Sequence, residues 1–422
     1  MVGLHILFAK KRLFVIIFLG GVMKIIMHID VNNAFLSWTA VEMLKNGSKI
    51  DIRKRYAVIG GDEESRRGIV LAKSNPCKKR GVVTAESLYQ ARKKCPYLEV
   101  YAGDFKIYKK YSDMMYNYLL NYTDIIERYS IDECFIDYTS SVKLFGDPIK
   151  LAYKIKNDIK IKFGFTVNVG VGNNKLEAKM ASDFEKPDRV HTLFDNEIKS
   201  KMWPLPVKDL FMVGKSASSK LDELGIKTIG DLANYDKDTL IKKFNKHGKL
   251  MWEYANGIDN SNVEAKKDNP KSVSTSTVLP YNYNDKKELY KVLRKLSNET
   301  GIRLRRKKLY ANTVSIWIKY SNFIKISKQI SLDNSITNDN DIYYYACLLF
   351  DKLWNNDSYI RGLCVGVDNL SKRCNEQLSL FDKNISNKKV RVVDDKLQQA
   401  MDKIKDKYGN DKIKFADIEV DN

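Results

Sequence analysis

From Met23 onward the hydrophobic positions follow two alternating periods. The short apolar runs "KIIMHIDV", "RYAVIGG", "GIVLAKS", "CFIDY" and "TVNVGVG" are bounded by turn residues and have the length of buried strands. Between them, "AFLSWTAVEMLKNG", "ESLYQARKKCP", "FKIYKKYSDMMYNYLLNYT" and "IKLAYKIKNDIKIKFG" read as helices, the first closed by Gly47 and the second by Pro96. Residues 24–187 thus predict a mixed α+β region. Residues 188–262 predict short helices only. The stretch 263–277, "VEAKKDNPKSVSTST", reads as a polar linker, and strand and helix alternate again from about 278 to 370. The tail from 371 is polar, with one apolar island, "QLSLF", and a final charged helix. No internal repeat is visible.

Composition adds one strong constraint. Of 422 residues, 73 are Lys or Arg and 52 are Asp or Glu, a net charge of +21, while the 44% hydrophobic content is ordinary for a globular chain. Such an excess favours a polyanionic partner, nucleic acid before an anionic membrane surface. The six cysteines show no C-x-x-C spacing, which argues against a zinc site and a disulfide framework and suits a reducing cytoplasm. Residues 1–22 imitate a secretory signal, "KKR" preceding "LFVIIFLGG", but the apolar stretch is short for a bilayer. The reading taken is a start at Met23, with 1–22 set aside as a doubtful extension and no stable membrane association.

Within "YSIDECFIDY", Asp132 and Glu133 interrupt an otherwise buried hairpin, and Asp30 ends the first strand. Adjacent strands of one sheet would bring the three acids together. Clustered carboxylates repel and call for a cation; two or three of them beside substrate phosphates is the way a protein binds Mg²⁺. A pair of such ions activates a hydroxyl and stabilises a leaving pyrophosphate. The plain alternative is a turn with two solvated acids.

Four segments in order, "HIDVNNAFLSW", "LAKSNPCKKRGV", "YSIDECFID" and "VGVGNNKLEAKMASDFEKP", resemble the Y-family DNA polymerases, the lesion-bypass enzymes of the DNA polymerase IV and UmuC-like group. The resemblance covers about 23–420. It implies a right-hand fold: a ferredoxin-like palm (23–33 and 104–188), small fingers (34–103), a helical thumb with a helix–hairpin–helix (189–262), a linker (263–277), an α/β little finger (278–370) and a tail (371–422). It implies template-directed, error-prone addition of deoxynucleotides to a primer 3′ end, bypass of damaged bases and no proofreading. Asp30, Asp132 and Glu133 would hold two Mg²⁺ ions, helped by the Val31 carbonyl. Phe35 matches the steric gate against a 2′-hydroxyl, and Ala34, Gly60, Gly61 and Ser74 suit an open nucleotide pocket. Lys78, Lys179 and Asn75 would meet the triphosphate, Asn75 standing where relatives often place a tyrosine; Lys175 is a further candidate.

"LFMVGKSASSKLDELGIKTIGDL" has the look of the helix–hairpin–helix, in which backbone N–H groups at a helix N-terminus hold a phosphate. Gly214, Lys215 and Gly225 fit, although Met212 stands where a leading glycine is usual. In the little finger, "RLRRKK" (Arg303, Arg305, Arg306, Lys307, Lys308) would contact DNA phosphates, with steep salt dependence. "QLSLF" resembles the peptide that docks on the bacterial sliding clamp, with Gln377 as polar anchor and Leu378, Leu380 and Phe381 as the apolar part. The expected partners are primed template DNA, deoxynucleoside triphosphates and the clamp. Two rivals are a silent DNA-binding accessory on the same scaffold, and a diguanylate cyclase suggested by "GGDEE" at 60–64, which explains none of the downstream segments.

Overall fold

The computed structural model describes residues 23–62, 66, 68–265, 269–355, 358–372, 397–398, 400–405 and 407–409. The extension 1–22 and the apolar island 377–381 lie outside the described residues. The chain divides into two compact units, one made of Met1–Gly61 with Ile69–Lys267, the other of Asp62–Gly68 with Asp268–Asn422.

The first unit is built on a five-stranded sheet. Strands β1 (Ile26–Val31), β5 (Ile126–Arg128), β6 (Glu133–Asp137), β7 (Val167–Gly172) and β8 (Val190–Leu193) run in the order β5-β6-β1-β7-β8. β1 lies between β6 and β7, antiparallel to both, and β8 is parallel to β7. Because its faces are covered by helices, β1 is buried along its whole length, which is why it reads as a continuous apolar run. Helices α1 (Ala34–Lys45), α4 (Phe105–Leu119) and α6 (Pro148–Phe163) contribute Leu36, Trp38, Tyr111, Met115, Ile155 and Ile159 to its core. A three-stranded sheet, β3-β2-β4, with α2 (Asn75–Lys79) and α3 (Leu88–Lys94), forms a smaller layer from β2 (Ala57–Gly60), β3 (Val70–Lys73) and β4 (Glu99–Ala102). Gly60 and Ser74, expected to open a nucleotide pocket, have structural work in this layer. A Cβ on Gly60 would sit 3.0 Å from Leu88, and Ser74 caps α2 by accepting from the Cys77 N–H.

Helix α7 (Lys175–Asp183) packs closer to the sheet than a side chain would allow. A Cβ on Gly170 would lie 2.0 Å from the Ala178 carbonyl oxygen, and one on Gly172 would lie 2.5 Å from the Glu177 Cβ. The glycines of "VNVGVG" thus set the helix height above β7. The same helix also packs on the helical region that follows, since Leu176, Met180 and Ala181 share a core with Leu221, Ile229, Leu240 and Met251. That region holds α8 (Lys215–Asp222), α9 (Ile229–Ala233), α10 (Lys237–Phe244) and α11 (Lys246–Ala255). At the junction Asn174 Nδ2 donates to the Gly257 carbonyl (2.9 Å) and Asp259 accepts from the Leu176 N–H (3.1 Å). Glu177 is fully buried here, and burial, with Asp195 alongside, pushes its carboxyl up to about 8, so it is carried protonated at neutral pH.

The second unit has one antiparallel sheet, β11-β10-β12-β9, from β9 (Ser272–Tyr283), β10 (Tyr310–Tyr320), β11 (Lys325–Ile336) and β12 (Ile360–Ser371). Helices α12 (Lys286–Arg306) and α13 (Asp339–Leu353) share its core, burying Leu289, Leu293, Leu296, Ile342 and Phe350 with Val314, Ile316 and Val365. Two sequence boundaries move. Residues 190–193, read as part of an all-helical region, form the edge strand β8; "VHTL" is too short and too mixed to announce itself. Residues 272–277, read as linker, are the start of β9, because its outward positions are serines and its inward ones, Val273 and Thr275, alternate with them.

Candidate active site

The site grows from strand register. Asp30, near the end of β1, is the pairing partner of Glu133 at the start of β6, and the Val31 N–H donates to the Asp132 carbonyl at 3.1 Å. The tight turn between β5 and β6 spans Tyr129 to Asp132. Both the Tyr129 and Ser130 N–H groups donate to the Glu133 carbonyl, which fixes the acids at its exit. Ser130 Oγ donates to Asp132 Oδ1 at 2.5 Å and accepts from the Asp132 N–H, which orients that carboxylate. Asp30 is buried at 6% exposure, while Asp132 and Glu133 are partly open.

Two ammonium groups balance the acids. Lys179 Nζ, on α7, donates to Glu133 Oε1 at 2.6 Å and lies 3.4 Å from Asp183. Lys186, in the turn after α7, pairs with Asp30 Oδ2 and, at 2.8 Å, with Asp183 Oδ1. Burial raises the Asp30 carboxyl above the usual aspartate range and Glu133 adds to the rise, while Lys186 and Lys179 hold it back. Burial also works against the charge on both lysines, but Asp30 and Asp183, with Glu133 at Lys179, outweigh it and raise both. His28, two residues before Asp30, is fully buried; desolvation and then the two lysines keep its imidazole well below its ordinary range, hence neutral. It shares a 2.8 Å hydrogen bond with Ser182 on α7.

The donor set, three carboxylates with the neighbouring backbone carbonyl of Val31, consists of hard oxygens of the kind that suits Mg²⁺. Among the described residues no three His, Cys, Asp or Glu side chains converge as a ready cluster, and Asp30 and Glu133 are shared with lysines instead.

Phe35 opens the first turn of α1, five residues past Asp30, half-buried. Its ring stacks on Tyr108 (centroids 4.4 Å apart, 18° between planes) and meets Phe105 edge-on at 5.8 Å. Tyr108 is fully buried and its hydroxyl reaches Thr39, so the stack is rigidly backed. Asn75 and Lys78 are exposed on α2, and the Asn33 amide donates to Asn75 at 3.3 Å, linking α2 to the entrance of α1. Lys175 goes elsewhere: its ammonium is held by Glu127 (2.7 and 2.9 Å) over the ring of Phe135.

Gly214 caps α8 at its N-terminus without any side-chain cap, and Lys215 begins the helix. Met212, standing where a glycine would be usual, holds the left-handed φ of 71° that such a turn requires. Gly225, φ 77°, closes the same helix. In the second unit Arg303, Arg306, Lys307 and Lys308 are exposed near the end of α12. Arg305 departs from expectation. Its side chain, 12% exposed, donates to Asp402 (2.6 and 2.9 Å), Asp339 (2.6 Å) and the Thr337 carbonyl (2.8 Å). It anchors the helical residues 400–405 and is not available to DNA.

Sequence reading missed Lys186 and Asp183, although both lie inside "ASDFEKP". A lysine before a proline reads as surface charge, and only the fold turns it back onto Asp30.

This chain is similar to known proteins over nearly all its length. Residues 29–183 match the impB/mucB/samB family, 270–380 the C-terminal domain of that family, and 208–259 the DNA polymerase-iota thumb domain. It is 48% identical to a DNA polymerase IV of Clostridium acetobutylicum, over 92% of this chain and 97% of that protein. It is 34% identical to DNA polymerase IV 1 of Bacillus subtilis, over 93% of each. Among solved structures, a Y-family DNA polymerase chimera of Dbh and Dpo4 matches with a TM-score of 0.72 at 25% identity, over 83% of this chain and all of that one. The chain therefore belongs to the impB/mucB/samB family, the Y-family DNA polymerases of the DNA polymerase IV type, and is a DNA-directed DNA polymerase of translesion synthesis.

Proposed function

We propose that nucleotidyl transfer takes place at the Asp30–Glu133 end of the first sheet. The observation that carries this is the register pairing of Asp30 with Glu133, Asp132 at the adjoining turn, and two lysines facing the acids. Asp30, Asp132, Glu133 and the Val31 carbonyl are the groups that would hold two Mg²⁺ ions. When bound, such a pair makes the primer 3′-hydroxyl more acidic and stabilises the leaving pyrophosphate. The protein groups supply position and counter-charge. Lys179 and Lys186 have two classes of anionic partner in reach, the acids and an entering triphosphate, and exchange one for the other as nucleotide arrives. Lys78 and Asn75 meet the triphosphate from the fingers.

Primed DNA is gripped through phosphates, by the N–H groups at Gly214 and Lys215 and by Arg303, Arg306, Lys307 and Lys308. The proposed division of labour is palm 23–33 and 104–188, fingers 34–103, thumb 189–262, linker 263–277 and little finger 278–370, with the strand residues 190–193 and 272–277 added to the palm and the little finger. Gln377, Leu378, Leu380 and Phe381 are proposed to dock on the sliding clamp, in a cytoplasmic setting. What supports that reading is a compact apolar island in a polar segment, too small to form a core. No helix among the described residues is long and apolar enough to cross a membrane.

Three outcomes are expected. Primer extension past an abasic or bulky lesion with Mg²⁺ occurs with the native protein and vanishes in Asp132→Ala, which still binds primed DNA; extension by the variant would contradict the site. In Phe35→Ala the ratio of ribonucleotide to deoxynucleotide incorporation rises at least tenfold in single-nucleotide assays, because the ring backed by Tyr108 no longer fills the space beneath the sugar. An unchanged ratio would remove Phe35 from sugar selection. Leu380→Ala with Phe381→Ala abolishes stimulation by the clamp while clamp-free synthesis persists; loss of clamp-free synthesis would make the segment structural instead.

A further inference from the structure

The turn between β10 and β11 carries a feature that phosphate binding does not require. Phe323 and Ile324 stand at its head, 61% and 57% exposed, so two large apolar side chains face solvent at the most projecting point of the hairpin. Phe323 has a φ of 69°, a left-handed conformation that a bulky residue adopts only at a cost. The turn is nonetheless well defined. The Phe323 N–H donates to the Tyr320 carbonyl (3.0 Å), the Ser321 N–H to the Tyr359 carbonyl (2.9 Å), and Asn322 Oδ1 accepts from the Ile324 N–H (3.0 Å). The tip is therefore held in a shape that presents the ring.

Two cations lie against the ring, and a third stands on the neighbouring strand with its ammonium 4.4 Å from the Trp317 centroid. Lys319 Nζ lies 4.9 Å and the Arg361 guanidinium 4.8 Å from the Phe323 centroid, and Lys325 is the direct cross-strand partner of Lys319. Like charges set opposite one another on paired strands are unfavourable. Among the described residues none of the three is in an ion pair with a carboxylate. Their arrangement favours an anion.

We propose that this tip is a stacking platform for unpaired template DNA, Phe323 taking a base on its face while Lys319, Lys325 and Arg361 take the flanking phosphates. Exposed aromatics interleaved with cations are the chemistry of single-strand binding, because every base offers a π-face and every linkage a charge. A duplex would engage the cations but has no free base for the ring. The proposal rests on the polymerase assignment and extends it: a region proposed to hold duplex phosphates would also hold the single strand.

The test uses the full chain and a short fluorescent oligothymidine, with blunt duplex of the same length as control, read by anisotropy across a salt series. Phe323→Ala is expected to weaken single-strand binding about tenfold, the order of one base–aromatic stack, with duplex binding and the salt slope unchanged. Phe323→Trp is expected to retain single-strand affinity. The triple change Lys319→Ala, Lys325→Ala, Arg361→Ala should lower the single-strand salt slope by about 2, at roughly 0.7 per phosphate contact. Unaltered single-strand affinity in Phe323→Ala, equal losses on both DNAs, or a loss in Phe323→Trp matching that in Phe323→Ala would overturn the platform. Primer extension by the native chain, run in parallel, separates the two layers: a native chain that does not extend overturns the polymerase reading, and one that extends while Phe323→Ala binds normally overturns only this proposal.

Discussion

Asp30 and Glu133 sit opposite each other at the ends of paired strands, one of them almost out of water, and like charges in that position cannot be left uncompensated. Much of the first unit's construction answers that constraint. The compensating charges, Lys179 and Lys186, come from one helix and the turn after it, so the height and angle of α7 decide whether they reach. Gly170 and Gly172 set that height by giving backbone room where any side chain would collide. The far side of the same helix joins the core of the thumb helices through Leu176 and Met180. A short helix thus links the acids, their counter-charges and the adjoining helical region.

Polar groups in the interior are handled in three ways. At the acids, charge is kept and balanced by charge, which leaves groups able to change partners. At Glu177 charge is avoided, since burial, with Asp195 alongside, pushes the carboxyl up to about 8. Arg305 is a third solution: a largely buried guanidinium whose donors are shared among Asp339, Asp402 and a carbonyl, so that no single partner carries its charge alone. The first arrangement suits a site that must rearrange and the others suit joints that must not.

These distinctions also explain what could be read from the chain alone. The strands and long helices of the first unit were legible because each has a single period and clear stops, and the three acids because they break that period. Phe35 and Lys179 lie inside the segments that carry the family resemblance. Lys186 was not legible, since its partner is 156 residues away and only the return of the chain after α7 brings it there. Arg305 was misread for the same reason in reverse: within "RLRRKK" it is one basic residue among five, and the acids that bury it lie 34 and 97 residues further on. The serines of 272–277 disguised a strand because their solvent face is polar and uncharged, with no apolar alternation strong enough to outweigh it.

Lys186 pairs with Asp30 in the structure, and it is proposed to turn to the triphosphate during synthesis. Single-nucleotide incorporation by Lys186→Met, measured over both deoxynucleotide and Mg²⁺ concentration, tests it most directly. The expected result is a KM for nucleotide raised tenfold or more, together with half-maximal activity at a lower Mg²⁺ concentration, because a cation no longer competes for Asp30. A KM and a Mg²⁺ dependence both equal to those of the native protein would contradict it.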